Sequence, residues 1–413
     1  MAVRFSSRKT LLLWCVFGLA IACAARESRL SSPTATTQPK LSFRPEDPLN
    51  ASAFEHFYNL DYQRSIAEFE QVLKRHPDDP FAVNHLLTAV LFQELYRMGA
   101  LDTSEYANDS FVTKPHRPPD AQAQKRIKDL IEQATQLEEK RLAVNPKDVD
   151  ALYARGVTRA QQATYVALVE RAWISALRNA VGARRDHERV LELDPGYTDA
   201  KLIVGTHNYV MGSLSWAVKV AVAMVGLSGS KEKGLEFLQQ AAGSSSESST
   251  DAKIVLAVFL RRERRYDEAL QLVRGLLAAY PRNLLLALEE GNLLRAAGRA
   301  SEAAASYRAV WQAGRQGRFP GLHYEMAAVS LGDLLRSQKD YDSAAGAYSM
   351  VDQVEKPDAE VSQRADLGAG EMYDLLQKRE QAIKSYQAVI ATDGASHFAE
   401  QARQGLKEPY RGE

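Results

Sequence analysis

Cysteine is almost absent from this chain of 413 residues, since it occurs only at Cys15 and Cys23. The rest of the chain has no thiol with which to form a disulfide, a thiolate metal site or a cysteine nucleophile. An excess of one charge sign is absent too, because 52 basic residues are balanced by 52 acidic ones. Without the basic surplus typical of nucleic-acid-binding proteins, we expect no nucleic-acid partner.

Signatures of catalysis are also missing. The histidines show no metal-ligand spacing, and the sequence contains neither a Walker-type phosphate loop nor a nucleophile elbow. His187 has charged neighbours on both sides, yet adjacent residues of a helix point to different faces. We therefore expect a protein that is not an enzyme and that uses no cofactor and no metal.

The first 22 residues have the pattern of an export leader. Basic residues are followed by an apolar run from Leu11 to Ala22 that is short for a membrane span. The sequence Ala20-Ile21-Ala22-Cys23 resembles the cleavage box of bacterial lipoproteins, in which the cysteine becomes the lipidated first residue. The resemblance implies removal of residues 1–22 and lipidation of Cys23, which would anchor an outer-membrane lipoprotein facing the periplasm. Cleavage after Ala22 or Ala24 would instead release a soluble periplasmic protein.

Residues 23–50 are rich in serine, threonine, proline and glutamine. Such a segment buries too little apolar surface to offset the entropy lost on ordering, so we predict a disordered tether. Its mean reach would be on the order of 30 Å.

A quartet of residues recurs in the C-terminal half. A small residue is followed after twelve positions by an alanine, four later by a larger residue, and three later by an aliphatic one. The copies are Ala257/Ala269/Val273/Leu276, Gly291/Ala303/Tyr307/Val310, Gly332/Ala344/Tyr348/Val351 and Gly370/Ala382/Tyr386/Val389. The last three members lie on one helical face, and the gap of twelve spans a turn, so each copy predicts a helical hairpin.

This spacing resembles the tetratricopeptide repeat, whose period is 34 residues. The period from Ala257 to Gly291 is likewise 34. The resemblance implies an all-α fold, a right-handed α-solenoid of about eight hairpins. We predict regular repeats over residues 250–407 and irregular hairpins with insertions over residues 51–243. We also expect Gly291, Gly332 and Gly370 to lie where helices cross closely, facing the alanine twelve residues later.

The apolar run from Leu214 to Val225 has three interpretations. It is either a helix buried within the solenoid, an interfacial helix resting on a membrane, or the wall of a ligand pocket containing Trp216 and Met224. The surrounding residues 212–235 resemble a segment of the eukaryotic tetratricopeptide proteins linked to inclusion-body clearance. That resemblance implies a shared hairpin insertion.

The arginines Arg261, Arg295 and Arg336 share repeat position 12, which faces the concave groove in tetratricopeptide repeats. The residues at the groove-facing position 9 are Asn292, Asp333 and Glu371. We predict that these six residues line a partner-binding groove that prefers an acidic segment. The alternative is that the arginines only solvate helix ends and offset the helix dipole.

These observations predict an exported scaffold that binds protein or peptide partners at the cell envelope. The alternative is an accessory lipoprotein that binds a small ligand for a periplasmic transport system. In that case the ligand would lie between the irregular N-terminal hairpins.

Overall fold

The structure, a computed structural model, describes residues 43–101, 116–214, 219 and 228–412. The chain forms two compact units, Met1–Pro281 and Arg282–Glu413. In the described residues of both units, the long regular elements are α-helices that pair into hairpins.

The described residues of the first unit form five hairpins. Their helices are α1 (Pro48–Tyr58), α2 (Tyr62–Arg75), α3 (Pro80–Arg97), α4 (Ala121–Val144), α5 (Val149–Leu168), α6 (Trp173–Leu193), α7 (Ala200–Ser213), α8 (Lys231–Ala242), α9 (Ser249–Arg262) and α10 (Tyr266–Ala279). Helices α1 and α3 begin with a proline after an aspartate, and each aspartate accepts a hydrogen bond from the first turn. Proline is preorganised for this position and lacks an N–H that would need a partner.

The first hairpin of this unit also contacts the fifth. The Tyr58 hydroxyl at the end of α1 donates to Asp251 of α9 over 3.0 Å. The Tyr58 ring lies 4.9 Å from the ring of Tyr280, which follows α10. The five hairpins therefore curve until their first and last members meet, and the starts of their first helices surround a common region.

The second unit contains three hairpins and a final helix. Its helices are α11 (Leu284–Ala296), α12 (Ala300–Arg315), α13 (Met326–Ser337), α14 (Tyr341–Tyr348), α15 (Ala359–Leu375), α16 (Arg379–Thr392) and α17 (His397–Lys407). A 3-10 turn, Ser349–Gln353, extends α14. Helix α17 packs against both helices of the last hairpin. The prediction of an all-α array of about eight hairpins is confirmed for the described residues.

The repeated glycines lie at close helix crossings, but they face tyrosines rather than the alanines that we expected. A Cβ on Gly332 would stand 2.5 Å from the ring of Tyr348, and one on Gly370 would stand 2.6 Å from the ring of Tyr386. Gly291 faces Tyr307 in the same way. The partner is thus sixteen residues away, because the large aromatic ring fills the space that the missing Cβ leaves.

The third hairpin contains the same quartet in a stretched form. Ala183, His187 and Val190 on α6 have the spacing of the other copies, and all three are buried. The ring of His187 fills the space beside Gly156 on α5, where the three hairpins with a repeated glycine in the second unit have a tyrosine. The two small residues are 27 positions apart instead of twelve, because both helices of this hairpin are longer than in the regular repeats.

The predicted tether ends earlier than Asn50. Helix α1 already begins at Pro48, and the Asn50 side chain is completely buried. The ring of Phe43 stacks on Phe54, with 4.9 Å between centroids. Burial of these side chains supplies the stabilisation that the composition of residues 23–50 as a whole did not indicate.

Two further predictions fall largely outside the described residues. Cys23 lies there, and so does most of the apolar run from Leu214 to Val225. Among the helices that are described, none combines the length and the apolar character needed to cross a membrane.

Candidate functional site

The arginine predicted to line the groove of the second unit, Arg336, binds a later segment of the chain. It forms an ion pair with Glu371, and its Nη2 donates to the Tyr410 hydroxyl over 2.8 Å. The guanidinium also lies over the Tyr410 ring, 5.4 Å from its centroid. Helices α13 and α15 carry the arginine and the glutamate, and both are first helices of their hairpins.

The backbone of the same segment is held as well. The Tyr410 N–H donates to Oδ2 of Asp374 on α15 over 2.8 Å. We call Arg336, Glu371 and Asp374 the Arg336 site. Arg336 and Asp374 hold Tyr410 by one side-chain and one backbone hydrogen bond, and Glu371 holds Arg336 by an ion pair. A groove binds an extended peptide through the same kinds of contact.

The other predicted groove residues of the second unit are used to fix the core. Asn292 accepts a hydrogen bond from the Tyr307 hydroxyl, and Asp333 accepts one from the Tyr348 hydroxyl, each over 2.7 Å. Asp333 also pairs with Arg364. These polar side chains therefore bind the hydroxyls of the buried quartet tyrosines. Position 9 alone did not predict this role.

Arg295 and Arg261 differ in their surroundings. Arg295 has an exposed side chain at the end of α11 in the second unit. Arg261 is half-buried at the end of α9 and belongs to the first unit. The groove formed jointly by the three arginines stays a prediction.

A second site surrounds Arg44, just before α1. Its guanidinium lies 5.0 Å from the ring centroid of Phe81, 5.9 Å from that of Tyr153 and 4.6 Å from that of Tyr197. Nη1 contacts Asp150 at 2.5 Å, and Nη2 lies 3.6 Å from Asp199. We call these three rings and two carboxylates the arginine cage.

The cage residues come from the places where successive hairpins of the first unit begin. Phe81 lies in the first turn of α3. Asp150 and Tyr153 lie in the first two turns of α5, and Tyr197 and Asp199 directly precede α7. The curvature of the unit brings these helix starts together around one side chain.

Further polar groups fix the backbone beside the cage. The Arg44 N–H donates to Glu247 over 3.2 Å, and Nε2 of His85 lies 2.6 Å from the other oxygen of that carboxylate. Asn50 joins His85 through a contact of 3.1 Å. Close by, burial raises the pKa of Asp251 to about 6, although its hydrogen bond from Tyr58 opposes the rise. The region is rich in carboxylates relative to cations.

An open cavity of about 640 Å³ adjoins the cage, and Arg44 forms part of its lining. The remaining lining is mostly polar and includes Asp148, Asp150, Asp194 and Lys147. A cavity of this size is large enough for several side chains of a bound peptide, whereas sites for small apolar ligands have mainly apolar walls.

A buried carboxylate lies elsewhere in the first unit, between α3, α4 and α5. Burial raises the pKa of Glu138 to about 8, with partial opposition from the Thr158 hydrogen bond and from the charges of Arg155 and Arg159. The Thr158 hydroxyl lies 2.5 Å from Glu138 and 2.7 Å from Asn84. Burial of the carboxyl therefore favours the neutral, protonated form of Glu138.

His187, which the sequence placed among charged neighbours, lies inside the core. Burial lowers its pKa to about 4, and Nδ1 contacts the Ala183 carbonyl at 2.8 Å. Its position in the quartet gives it a packing role. The described residues contain no group of three or more histidine, cysteine or acidic side chains arranged to hold a metal ion.

Comparison of the sequence with family models finds the tetratricopeptide repeat. The match covers residues 256–318 and 288–360. It includes the first three of the four quartet copies, from Ala257 to Val351, and lies within the predicted range of 250–407. No curated protein matches the chain significantly.

Several solved structures resemble the chain. The pilF protein of Pseudomonas aeruginosa is 17% identical with a TM-score of 0.35, over 63% of this chain and 99% of that one. The APC/C hetero-tetramer Cut9–Hcn1 is 14% identical with a TM-score of 0.44, over 88% of this chain and 56% of that one. The human IFIT1 dimer with m7Gppp-AAAA is 14% identical with a TM-score of 0.38, over 87% and 80%. Such distant similarities support no conclusion about function.

Proposed function

Because the chain is a tetratricopeptide-repeat protein, we propose that it is a non-catalytic scaffold that binds extended segments of protein partners. One observation carries this proposal: the Arg336 site already holds Tyr410 of an extended segment by its backbone N–H and its side-chain hydroxyl. A surface that binds one extended segment of the chain has the donors, acceptors and shape to bind another.

The chemistry of the Arg336 site indicates what the partner offers. Arg336 provides a planar set of N–H donors that suits carboxylate and hydroxyl oxygens. Asp374 accepts a backbone N–H, so the partner must present free main-chain donors. We therefore propose an extended partner segment that contains an acidic or a hydroxylated aromatic residue.

We further propose that the scaffold works at the cell envelope of a bacterium. The support is in the sequence: a basic and apolar leader followed by the lipoprotein-like box at Cys23. The intact mass of the purified membrane-bound protein should correspond to a chain that starts at a lipidated Cys23. An unmodified chain that starts beyond Cys23 would contradict the anchor but would leave the binding proposal untouched.

The alternative, a lipoprotein that binds a small ligand, has weaker support. Its site would be the cavity beside Arg44, which lies among the N-terminal hairpins as that interpretation requires. The polar and open walls of the cavity suit a segment of peptide better than a small molecule that must be enclosed. The balance of 52 basic and 52 acidic residues likewise supports a protein partner over a nucleic acid.

Selection of random displayed peptides on the full chain tests the proposal. We expect enrichment of sequences that contain acidic residues or tyrosine, and we expect Arg336→Glu to abolish their binding because the new carboxylate repels them. Arg308→Glu is the matched control, since Arg308 is exposed on the second helix of its hairpin.

The result can also overturn the proposal. If no peptide is enriched, or if the enriched peptides bind Arg336→Glu as well as they bind Arg308→Glu, the Arg336 site is not a partner site. Circular dichroism of both variants must match that of the wild type, so that loss of binding is not caused by unfolding.

A further inference from the structure

We propose that the arginine cage of the first unit is a recognition site for an arginine side chain of a partner segment, and that Arg44 is a resident ligand which the partner displaces. The inference rests on the proposed function, because it concerns a peptide partner, but it assigns a second site with a different ligand. The Arg336 site takes an acidic or hydroxyl group, whereas the cage takes a cation.

The geometry of the cage suits a guanidinium better than an ammonium. A guanidinium is planar, so it stacks on aromatic rings and at the same time directs N–H donors towards carboxylates in its plane. Arg44 does both, with three ring centroids within 5.9 Å and a carboxylate at 2.5 Å. A lysine has one compact charge and cannot use all of these partners together.

The surroundings of the cage hold more negative charge than Arg44 balances. Asp150 and Asp199 contact its guanidinium, and Glu247 accepts its backbone N–H. Asp194 lines the adjoining cavity. A ligand with an arginine and a second basic residue would therefore be attracted to the region electrostatically.

Arg44 is also accessible to competition. The Arg44 side chain is 36% exposed, and the side chain of Asp150, with which it forms an ion pair, is 45% exposed. The adjoining cavity of about 640 Å³ gives an incoming segment room to bind before Arg44 leaves. Replacement can therefore proceed stepwise without opening the helical core.

The experiment uses the full chain with Arg44→Ala, which empties the cage, and a fluorescent peptide with the sequence of residues 43–49. Fluorescence anisotropy should show saturable binding to this variant and weaker binding to the wild type, in which Arg44 competes. Replacing the arginine of the peptide by lysine should weaken binding about tenfold or more, because the stacking on the rings is lost.

Two further substitutions in the Arg44→Ala chain identify the site. Tyr197→Ala removes the nearest ring and should weaken peptide binding about tenfold. Tyr266→Ala, at the start of α10 in the same unit, should leave binding unchanged. If Arg44→Ala does not fold, as judged by circular dichroism, Arg44→Lys is used in its place, since a lysine keeps the charge and fills the cage less well.

A folded variant that binds no peptide, or that binds the arginine and lysine peptides equally, would overturn the inference and leave Arg44 with a packing role only. These outcomes are independent of the peptide selection at the Arg336 site. If the selection fails but the cage binds the arginine peptide, the cage is supported and the partner proposed for the second unit is refuted.

Discussion

Replacing Gly332 by leucine should lower the free energy of unfolding by ~1–3 kcal/mol. The position has no room for a side chain, because even a Cβ would stand 2.5 Å from the Tyr348 ring. The ring cannot move away, since Gly368 contacts its other side and its hydroxyl is bonded to Asp333. Chemical denaturation followed by circular dichroism measures the loss.

Gly346 provides the matched control for this substitution. It lies in α14 of the same hairpin, and a Cβ there would meet nothing within 4 Å. Gly346→Leu should therefore be neutral or stabilising, because leucine has the higher helix propensity. Equal stability of the Gly332 and Gly346 variants would contradict the close packing of glycine against tyrosine.

Glu138→Gln should stabilise the protein increasingly as the pH is raised from about 4.5 to about 8. The folded state keeps a proton on Glu138 up to its pKa of about 8, whereas the unfolded state releases it near 4.5. The folded state thus binds more protons in this window, and stability falls as the pH rises. Glutamine is neutral throughout and avoids a loss of as much as about 5 kcal/mol.

The measurement is the difference in unfolding free energy between Glu138→Gln and the wild type at several pH values. The difference should be small near pH 4.5 and largest above about pH 8. Glu139→Gln changes the exposed neighbour on the same helix and should show no such trend. A pH-independent difference for Glu138→Gln would mean that the buried carboxyl is ionised in the folded protein.

The regular hairpins were predictable because packing acts on every repeat in the same way. Each copy must place a small residue opposite a large one, so the quartet appears in the sequence at nearly constant spacing. The residue that each glycine contacts was harder to predict. The alanine and the tyrosine of a quartet are four residues apart on the same face of the second helix, so spacing alone cannot tell which of them faces the glycine. The structure shows that tyrosine fills the gap in the three copies that have it.

The third hairpin shows how insertions hide a repeat. Its first and second helices gain whole turns, so the small residues Gly156 and Ala183 move apart while the spacing of Ala183, His187 and Val190 is kept. The spacing of Ala183, His187 and Val190 was therefore enough to identify the second helix of a repeat. The charged neighbours of His187 made it a candidate for a catalytic or metal-binding role, but its ring is buried against Gly156.

The sites were harder to predict than the fold. Arg336 and Glu371 were expected to line a groove, because the repeat register gives the exposed inner positions. Tyr410 and Arg44 belong to no repeat, and each binds residues distant in sequence. Only the contrast between Phe43-Arg44-Pro45 and the polar residues before it could have pointed to an ordered segment.

Hydrogen exchange at the Tyr410 amide tests the central claim most directly, namely that a partner segment uses the Arg336 site. In the free chain this N–H is bonded to Asp374 over 2.8 Å and should exchange slowly. A saturating peptide from the selection should displace residues 408–412 and make the amide exchange at the rate of an open segment. Unchanged protection at Tyr410 with the peptide bound would contradict the account.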